Sequence, residues 1–551
     1  MDSVRTFEAC FLSTAAEITF FLKNITTTGN RAQSTKVVLN TLTAIVVVWI
    51  CYRAVIYPKF ISSLRHLPTA KRKYPLIGYG PAQFANSRGE LFLEMAKAIP
   101  NEGLIRFHGF LETENLLLTS PEAIQEVLVK NSYNFIKPRG AKALFDRFLG
   151  SEVLFASEGP NHRNSKKHMQ PPFNLSKVKI LYSMFWDKAV KMSDDIGRSV
   201  IPSEKEILVT DVDMHAHNAT LDAVMRALFG EKIEKSPYKH EILRLLDSVL
   251  GGSWDVTAYF MMTAFLPLWT LKLIPGGIND RVNFSSYRLR QSVRAFLNER
   301  KDESGSNKSD DIAMEMANSD YFTDDELVAN LLGLMMAGIE PTAAGFVWIA
   351  WYLAIHPDWQ TKVRNELKAN IAHRFFTDDP TSFDAASVLE SLPILNAVCN
   401  EGLRLKPPAP TSNRIAKFDT TILGHPVKAG TRIFISPFVS NRSEEFWGLT
   451  AAMYDPSRWL GDQKSGRKEV YNSRGGAATS THCGFLPFLH GPRKCIGSIY
   501  AQAEMRAFIA CLVGRFEFEM ADKEEEMISA GILTSKPKGG LKLRLHKVKK
   551  W

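Results

Sequence analysis

Apolar positions follow three different rhythms along the chain. From Val37 to Tyr52 they are almost unbroken, VVLNTLTAIVVVWICY, and Ala54-Val55-Ile56 extends the run beyond Arg53. As a helix the core run rises about 24 Å, short of the ~30 Å hydrocarbon layer of a bilayer, and snorkelling of Arg53 lets a span continue to Ile56. From Ile180 to Glu299 the apolar spacing is mostly helical, interrupted by the aromatic stretch from Tyr259 to Pro275. Thr323-Asp324-Asp325-Glu326 reads as a capping box that opens a long apolar helix. Shorter alternating runs, Thr431 to Ser436 and Leu541 to Leu545, predict strands. Ile105 to Gly109 and Glu114 to Thr119 predict a hairpin, and Ser120-Pro121-Glu122 the capped start of a helix. Lys301 to Asp311 is polar and predicts a surface loop, and no internal repeat is present. The sum is a mainly α chain with small β-sheets.

Charge orients the first run. Arg53, Lys59, Arg65, Lys71, Arg72 and Lys73 follow it, whereas Lys23, Arg31 and Lys36 precede it. The positive-inside rule puts the bulk of the chain in the cytosol. The expected division is a lumenal segment over 1–36, a single transmembrane helix over 37–56, a Pro-rich connector over 57–80 and a catalytic domain over 81–551. A buried core helix is the plainer reading of the run. A cleaved signal peptide fits less well, because the run starts late and has no small-residue cleavage site. Asn24-Ile25-Thr26 is a glycosylation sequon that such a topology would place in the lumen. The six cysteines (10, 51, 399, 483, 495 and 511) form no C-x-x-C pair, which argues against a zinc site and suits a reduced compartment. The net charge of +10 suits anionic lipid or an acidic electron donor. No basic stripe interleaved with aromatics points to nucleic acid.

The chemistry concentrates in Phe488-Leu489-His490-Gly491-Pro492-Arg493-Lys494-Cys495-Ile496-Gly497. Gly491-Pro492 predicts a tight turn, and Gly497 a close approach of backbone to something flat. A helix follows, so the thiolate would face its positive end and the N–H groups that tune sulfur. A lone Cys between glycines is also an ordinary small buried residue. The order Phe-x-x-Gly-x-Arg-x-Cys-x-Gly, however, resembles the haem-binding loop of the cytochrome P450 family at every fixed position. Glu401-Gly402-Leu403-Arg404, with Arg458 in Tyr454-Asp455-Pro456-Ser457-Arg458-Trp459, resembles that family's Glu-Arg-Arg triad.

The resemblance implies the cytochrome P450 fold, with Cys495 as axial ligand of haem b. It implies Arg493, Arg414, His162 and Lys166 as partners of the haem propionates, although without it these would read as solvated basic faces. It places Ala337-Gly338-Ile339-Glu340-Pro341-Thr342 on the oxygen-binding helix, Gly338 near haem, Glu340 and Thr342 as proton carriers. The family pattern has Thr where Pro341 stands. That proline is expected to kink the helix, and Thr342 to substitute from one residue on. Phe145, Phe148, Leu334, Ile339, Thr411 and Leu533 occupy family positions of an apolar substrate pocket.

The implied activity is a membrane-anchored haem-thiolate monooxygenase of the endoplasmic reticulum. It would be fed by an NADPH-dependent cytochrome P450 reductase, since no G-x-G-x-x-G follows a plausible strand here. The proline-rich connector looks like that of fungal members, many of which oxidise terpenoid or polyketide intermediates. A haem-thiolate isomerase or dehydratase needing no external electrons is one alternative, motivated by Pro341, and a non-catalytic haem sensor is another.

Overall fold

The structure, a computed structural model, describes residues 31–548 except 75, 81, 83–86, 151–152, 199–207, 251–257, 260–261, 263–276, 304–310, 373–375, 377–383, 462–482 and 532–533. Asn24, Leu533, nearly all of the aromatic stretch up to Pro275 and most of the loop from Lys301 lie outside the described residues.

Helix α1 spans Arg31–Cys51 and continues as π-helical turns over Tyr52–Ile61. Its apolar window, Leu39–Ile61, has a mean hydropathy of 1.8 and only 6% of it is buried. The rod therefore runs past Ile56 into the stretch read as connector. Its end is held by two arginines: Arg106 Nη2 donates to the Pro58 carbonyl at 3.0 Å and Arg72 Nη2 to the Ala54 carbonyl at 2.9 Å. A second helix, Asp324–Ile355, is also long and apolar enough to span a bilayer, but 67% of it is buried and it is a core helix.

The first sheet joins β1 (Leu104–His108), β2 (Glu114–Leu118), β3 (Phe135–Ile136), β5 (Ser412–Ala416) and β6 (Arg432–Ile435) in the order β1-β2-β6-β5-β3. The expected hairpin forms, Leu104 opposite Leu118, and β2 pairs in parallel with β6. Every residue of β1 is buried, so the sheet is covered on both faces. The Ser120 hydroxyl caps the following helix by accepting from the Ala123 N–H at 3.3 Å. A three-stranded sheet sets β8 (Lys542–Lys547) between β4 (Leu208–Asp211) and β7 (Phe516–Met520).

The remaining body is helical. In chain order it includes α2 (Gly159–Met169), α3 (Tyr182–Arg198), α4 (Val212–Phe229), α5 (Ile278–Glu303), α6 (Asp324–Ile355), α7 (Pro357–Asn370), α8 (Pro393–Leu405) and α9 (Ser498–Arg515). The predicted capping box starts α6: Thr323 Oγ1 accepts from Glu326 N–H at 3.3 Å and Thr323 N–H donates to Glu326 at 2.9 Å. Helix α6 crosses the molecule against α4, α8 and α9, and it passes through Pro341 without interruption. The expected kink does not break it.

A buried charge network ties α8 to the segment that leads into the cysteine loop. Glu401 and Arg404 have fully buried side chains and meet in a bidentate pair, both bonds at 2.7 Å. Arg404 also donates to the carbonyls of Asn441 at 2.7 Å and Met453 at 2.8 Å. Arg458 Nε stands 3.5 Å from Glu401, and Trp459 Nε1 donates to it at 3.0 Å. From this platform Asn441 Oδ1 accepts the Leu486 N–H at 2.8 Å, Trp447 Nε1 donates to the Gly484 carbonyl at 3.0 Å, and Trp459 packs edge-on to Phe485. Removing Arg404 leaves Glu401 charged in a dry site, a loss of roughly 3–5 kcal/mol. Arg404→Ala is therefore expected to yield little folded protein and to lower thermal melting sharply. Melting equal to that of the unaltered chain would show the network to be dispensable.

Candidate active site

The cysteine loop follows directly from that platform. Gly491 has φ +77°, and a Cβ there would overlap the Leu128 carbonyl, so the turn requires glycine. Lys494 N–H donates to the Gly491 carbonyl and Cys495 N–H to the Phe488 carbonyl, each at 3.0 Å. These bonds present Cys495 ahead of α9. Its side chain is accessible, yet enough protein surrounds it that burial pushes the thiol pKa up. An atom on the floor of a deep recess has both properties. The Gly497 N–H and the Lys166 and Lys494 ammonium groups act in the opposite sense and favour thiolate. At Gly497 a Cβ would meet nothing, leaving open space beside the sulfur.

Cations gather beside this loop. Arg493 ion-pairs with Glu158, while its Nε and Nη1 are buried without hydrogen-bond partners. Arg414 is buried on β5, bonded to Ser412 Oγ at 2.9 Å and to the Asn413 carbonyl at 2.7 Å. Burial, reinforced by Arg493, lowers its pKa to about 10. Lys137 joins the cluster: burial, Arg414 and Arg493 bring its pKa down to about 7. His162 accepts or donates at 3.2 Å with the Tyr133 hydroxyl, and burial next to these cations holds its pKa at about 3, so the ring is neutral.

Lys166 is placed differently from expectation. Its ammonium donates to the carbonyls of Pro492 at 2.8 Å and Lys494 at 2.9 Å. It straps the cysteine loop to α2, and its charge acts on His162 together with the other cations.

On α6, Ala337 is exposed and Leu334, Met336, Gly338, Glu340 and Pro341 are partly exposed, in the middle of a helix buried on either side. The i, i+3, i+7 spacing of Leu334, Ala337 and Pro341 makes them one face. A Cβ at Gly338 would sit 3.0 Å from Val224, so the glycine lets α6 pack closely on α4. Glu340 meets His217 Nδ1 at 3.1 Å and Lys536 Nζ at 3.8 Å. The hydrogen bond from His217 holds its carboxyl below the usual range, ahead of an opposing burial effect. Thr342 is buried and two residues from Glu340, hence about 200° around the helix. The two expected proton carriers lie on different flanks of α6 and are not brought together.

Residues 68–543 match the family described as Cytochrome P450. The chain belongs to the cytochrome P450 family. A cytochrome P450 monooxygenase, sphH of Aspergillus fumigatus, is 32% identical over 522 residues and 93% of each chain. Another, ptmK of Penicillium ochrochloron, is 30% identical over 91% of this chain and 96% of its own. Among solved structures, the haem domain of cytochrome P450DA aligns with a TM-score of 0.69 at 18% identity, covering 88% of this chain and 98% of that one. This P450 is thus a monooxygenase with the P450 fold.

The residues present fit the family's haem. An accessible thiol, open space at Gly497, and buried guanidinium N–H groups without partners suit an iron, a flat macrocycle and its carboxylates in turn. When bound, haem supplies oxygen activation, and thiolate ligation favours O–O cleavage. Lys137 was missed in the sequence because nothing in Asn134-Phe135-Ile136-Lys137-Pro138 sets it apart; only the pairing of β3 with β5 brings it to Arg414. The strap at Lys166 gives a test. Lys166→Met is expected to convert part of the reduced carbon monoxide complex to the form lacking thiolate, with haem content retained. Loss of haem with an intact thiolate signature would restore Lys166 as a propionate partner.

Proposed function

We propose that this P450 inserts one atom of dioxygen into an apolar small molecule, a terpenoid or polyketide intermediate of fungal secondary metabolism. The observation that carries this is the Leu334-Ala337-Pro341 face, an apolar strip left open on an otherwise core helix, with Glu340 at its edge. Phe145, partly exposed and edge-on to Phe155 at 4.6 Å, supports the same reading, as does the part-buried Thr411. Phe148 and Ile339 are 1% and 3% exposed, which favours a supporting role behind the pocket wall over contact with substrate. The relatives named above come from fungi and bear the name monooxygenase.

In this reading Cys495 ligates the haem iron, and Arg493, Arg414 and Lys137 hold the propionates with neutral His162 beside them. Glu340 carries protons in from the side of His217. Thr342, on the far flank, contributes to packing. The α1 rod anchors the chain in the endoplasmic reticulum with Asn24 lumenal and glycosylated. A membrane-bound NADPH-dependent reductase supplies the electrons.

Pro341 favours one second reading, an electron-independent isomerase or dehydratase, because it stands where the family carries a hydroxyl. One experiment separates the two. Microsomes carrying this P450 and a P450 reductase are incubated with a panel of terpenoids and polyketides, and products are profiled by mass spectrometry. The monooxygenase reading expects products heavier by one oxygen that require both NADPH and dioxygen. Product formed without NADPH would replace it with the isomerase reading.

A further inference from the structure

The cations beside the cysteine loop do not balance their surroundings. Lys137, Arg414 and Arg493 face one another from the end of β3, from β5 and from the loop, with neutral His162 on α2. Among the described residues the carboxylate that meets them is Glu158, at the N-cap of α2. One of its oxygens accepts the Lys137 backbone N–H at 2.8 Å, and the other takes the Arg493 guanidinium. The hold on Arg493 uses Nη2 and leaves Nε and Nη1 buried and free to donate. Arg493 is further fixed over the Tyr133 ring, 5.0 Å from its centre.

Three positive charges against one negative leave an excess of two. Haem b presents two propionates, whose charge matches that excess while Lys137 is protonated. We propose that Glu158 is a positioning residue of the haem cradle: its carboxylate, shared between the Arg493 guanidinium and the Lys137 backbone, aims Arg493 at a propionate and sets a counter-charge beside Lys137. This rests on the reading of Arg493 and Arg414 as propionate partners.

A neutral side chain at 158 removes the negative charge nearest Lys137. Burial, Arg414 and Arg493 all favour the neutral amine there, and Glu158 opposes them. The sign is then fixed. Lys137 protonation is linked to propionate binding, so its contribution to haem retention is complete at low pH and lost as pH rises. Without Glu158 that loss begins earlier.

The test measures transfer of ferric haem from the purified holoprotein to excess apomyoglobin between pH 6 and 10. Glu158→Gln keeps an acceptor for Arg493 but no charge. Its midpoint for haem loss is expected to fall by about one pH unit, the size of effect one close charge exerts. Release at pH 8 should quicken several-fold. Lys137→Arg, which keeps its proton throughout this range, is expected to restore retention in the Glu158→Gln background. A Glu158→Gln midpoint equal to that of the unaltered protein, or a shift that Lys137→Arg leaves in place, overturns the inference. Arg493→Gln serves as the control. If haem release is insensitive to Arg493→Gln as well, the propionate assignment itself fails; if Arg493→Gln accelerates release and Glu158→Gln does not, only the role of Glu158 falls.

Discussion

A carboxylate with no access to water must be answered by its neighbours, and around Glu401 the whole proximal half of the molecule is arranged to do so. Arg404 answers it with two hydrogen bonds, Arg458 with charge, Trp459 with an indole N–H and Asp455 with a backbone N–H at 2.8 Å. Each of these groups belongs to a segment that has somewhere else to go. Arg404 takes the carbonyls of Asn441 and Met453, and Asn441 in turn takes the N–H of Leu486. The chain enters the cysteine loop from that point. The position of Cys495 is thus inherited, step by step, from one buried ion pair. Such a pair is a poor source of net stability, because desolvation cancels most of its attraction. What it provides is geometry, since Glu401 and Arg404 draw α8, the Asn441 turn and the Met453–Trp459 segment to one point.

The same logic runs in reverse at the cations beside the loop. There the protein gathers more positive charge than it neutralises, and two guanidinium nitrogens of Arg493 are buried without partners. A site left short of negative charge is organised for an anion, and a porphyrin with two carboxylates meets that need. Lys166 belongs to neither set. By binding two carbonyls of the loop it converts a cation into a mechanical strap, close enough to the sulfur to favour its ionised form.

Much of this was legible in the residues because local patterns carried it. The capping box at Thr323, the hairpin at Leu104–Leu118 and the tight turn at Gly491 before Cys495 are set by neighbours in sequence, and short-range rules read them correctly. The roles on α6 were harder. Spacing alone puts Glu340 and Thr342 on different flanks, but the family pattern pairs the carboxylate with a hydroxyl, and Pro341 invited a substitution that helix geometry does not support. Gly338 faces Val224 because of how α4 crosses α6, a tertiary fact with no signature in the sequence. Lys137 and Glu158 were illegible for the same reason: their meeting depends on β3 pairing with β5 and on where α2 begins.

The account turns on Cys495 as the iron ligand, and the spectrum of the reduced carbon monoxide complex tests that most directly. The unaltered protein is expected to show the red-shifted Soret band that thiolate ligation gives, and Cys495→Ser to lose it. Cys483, buried in the sheet-side core with its thiol pushed up to about 11, should be replaceable by Ser with the band intact. Persistence of the band in Cys495→Ser, or its loss in Cys483→Ser alone, would contradict the account.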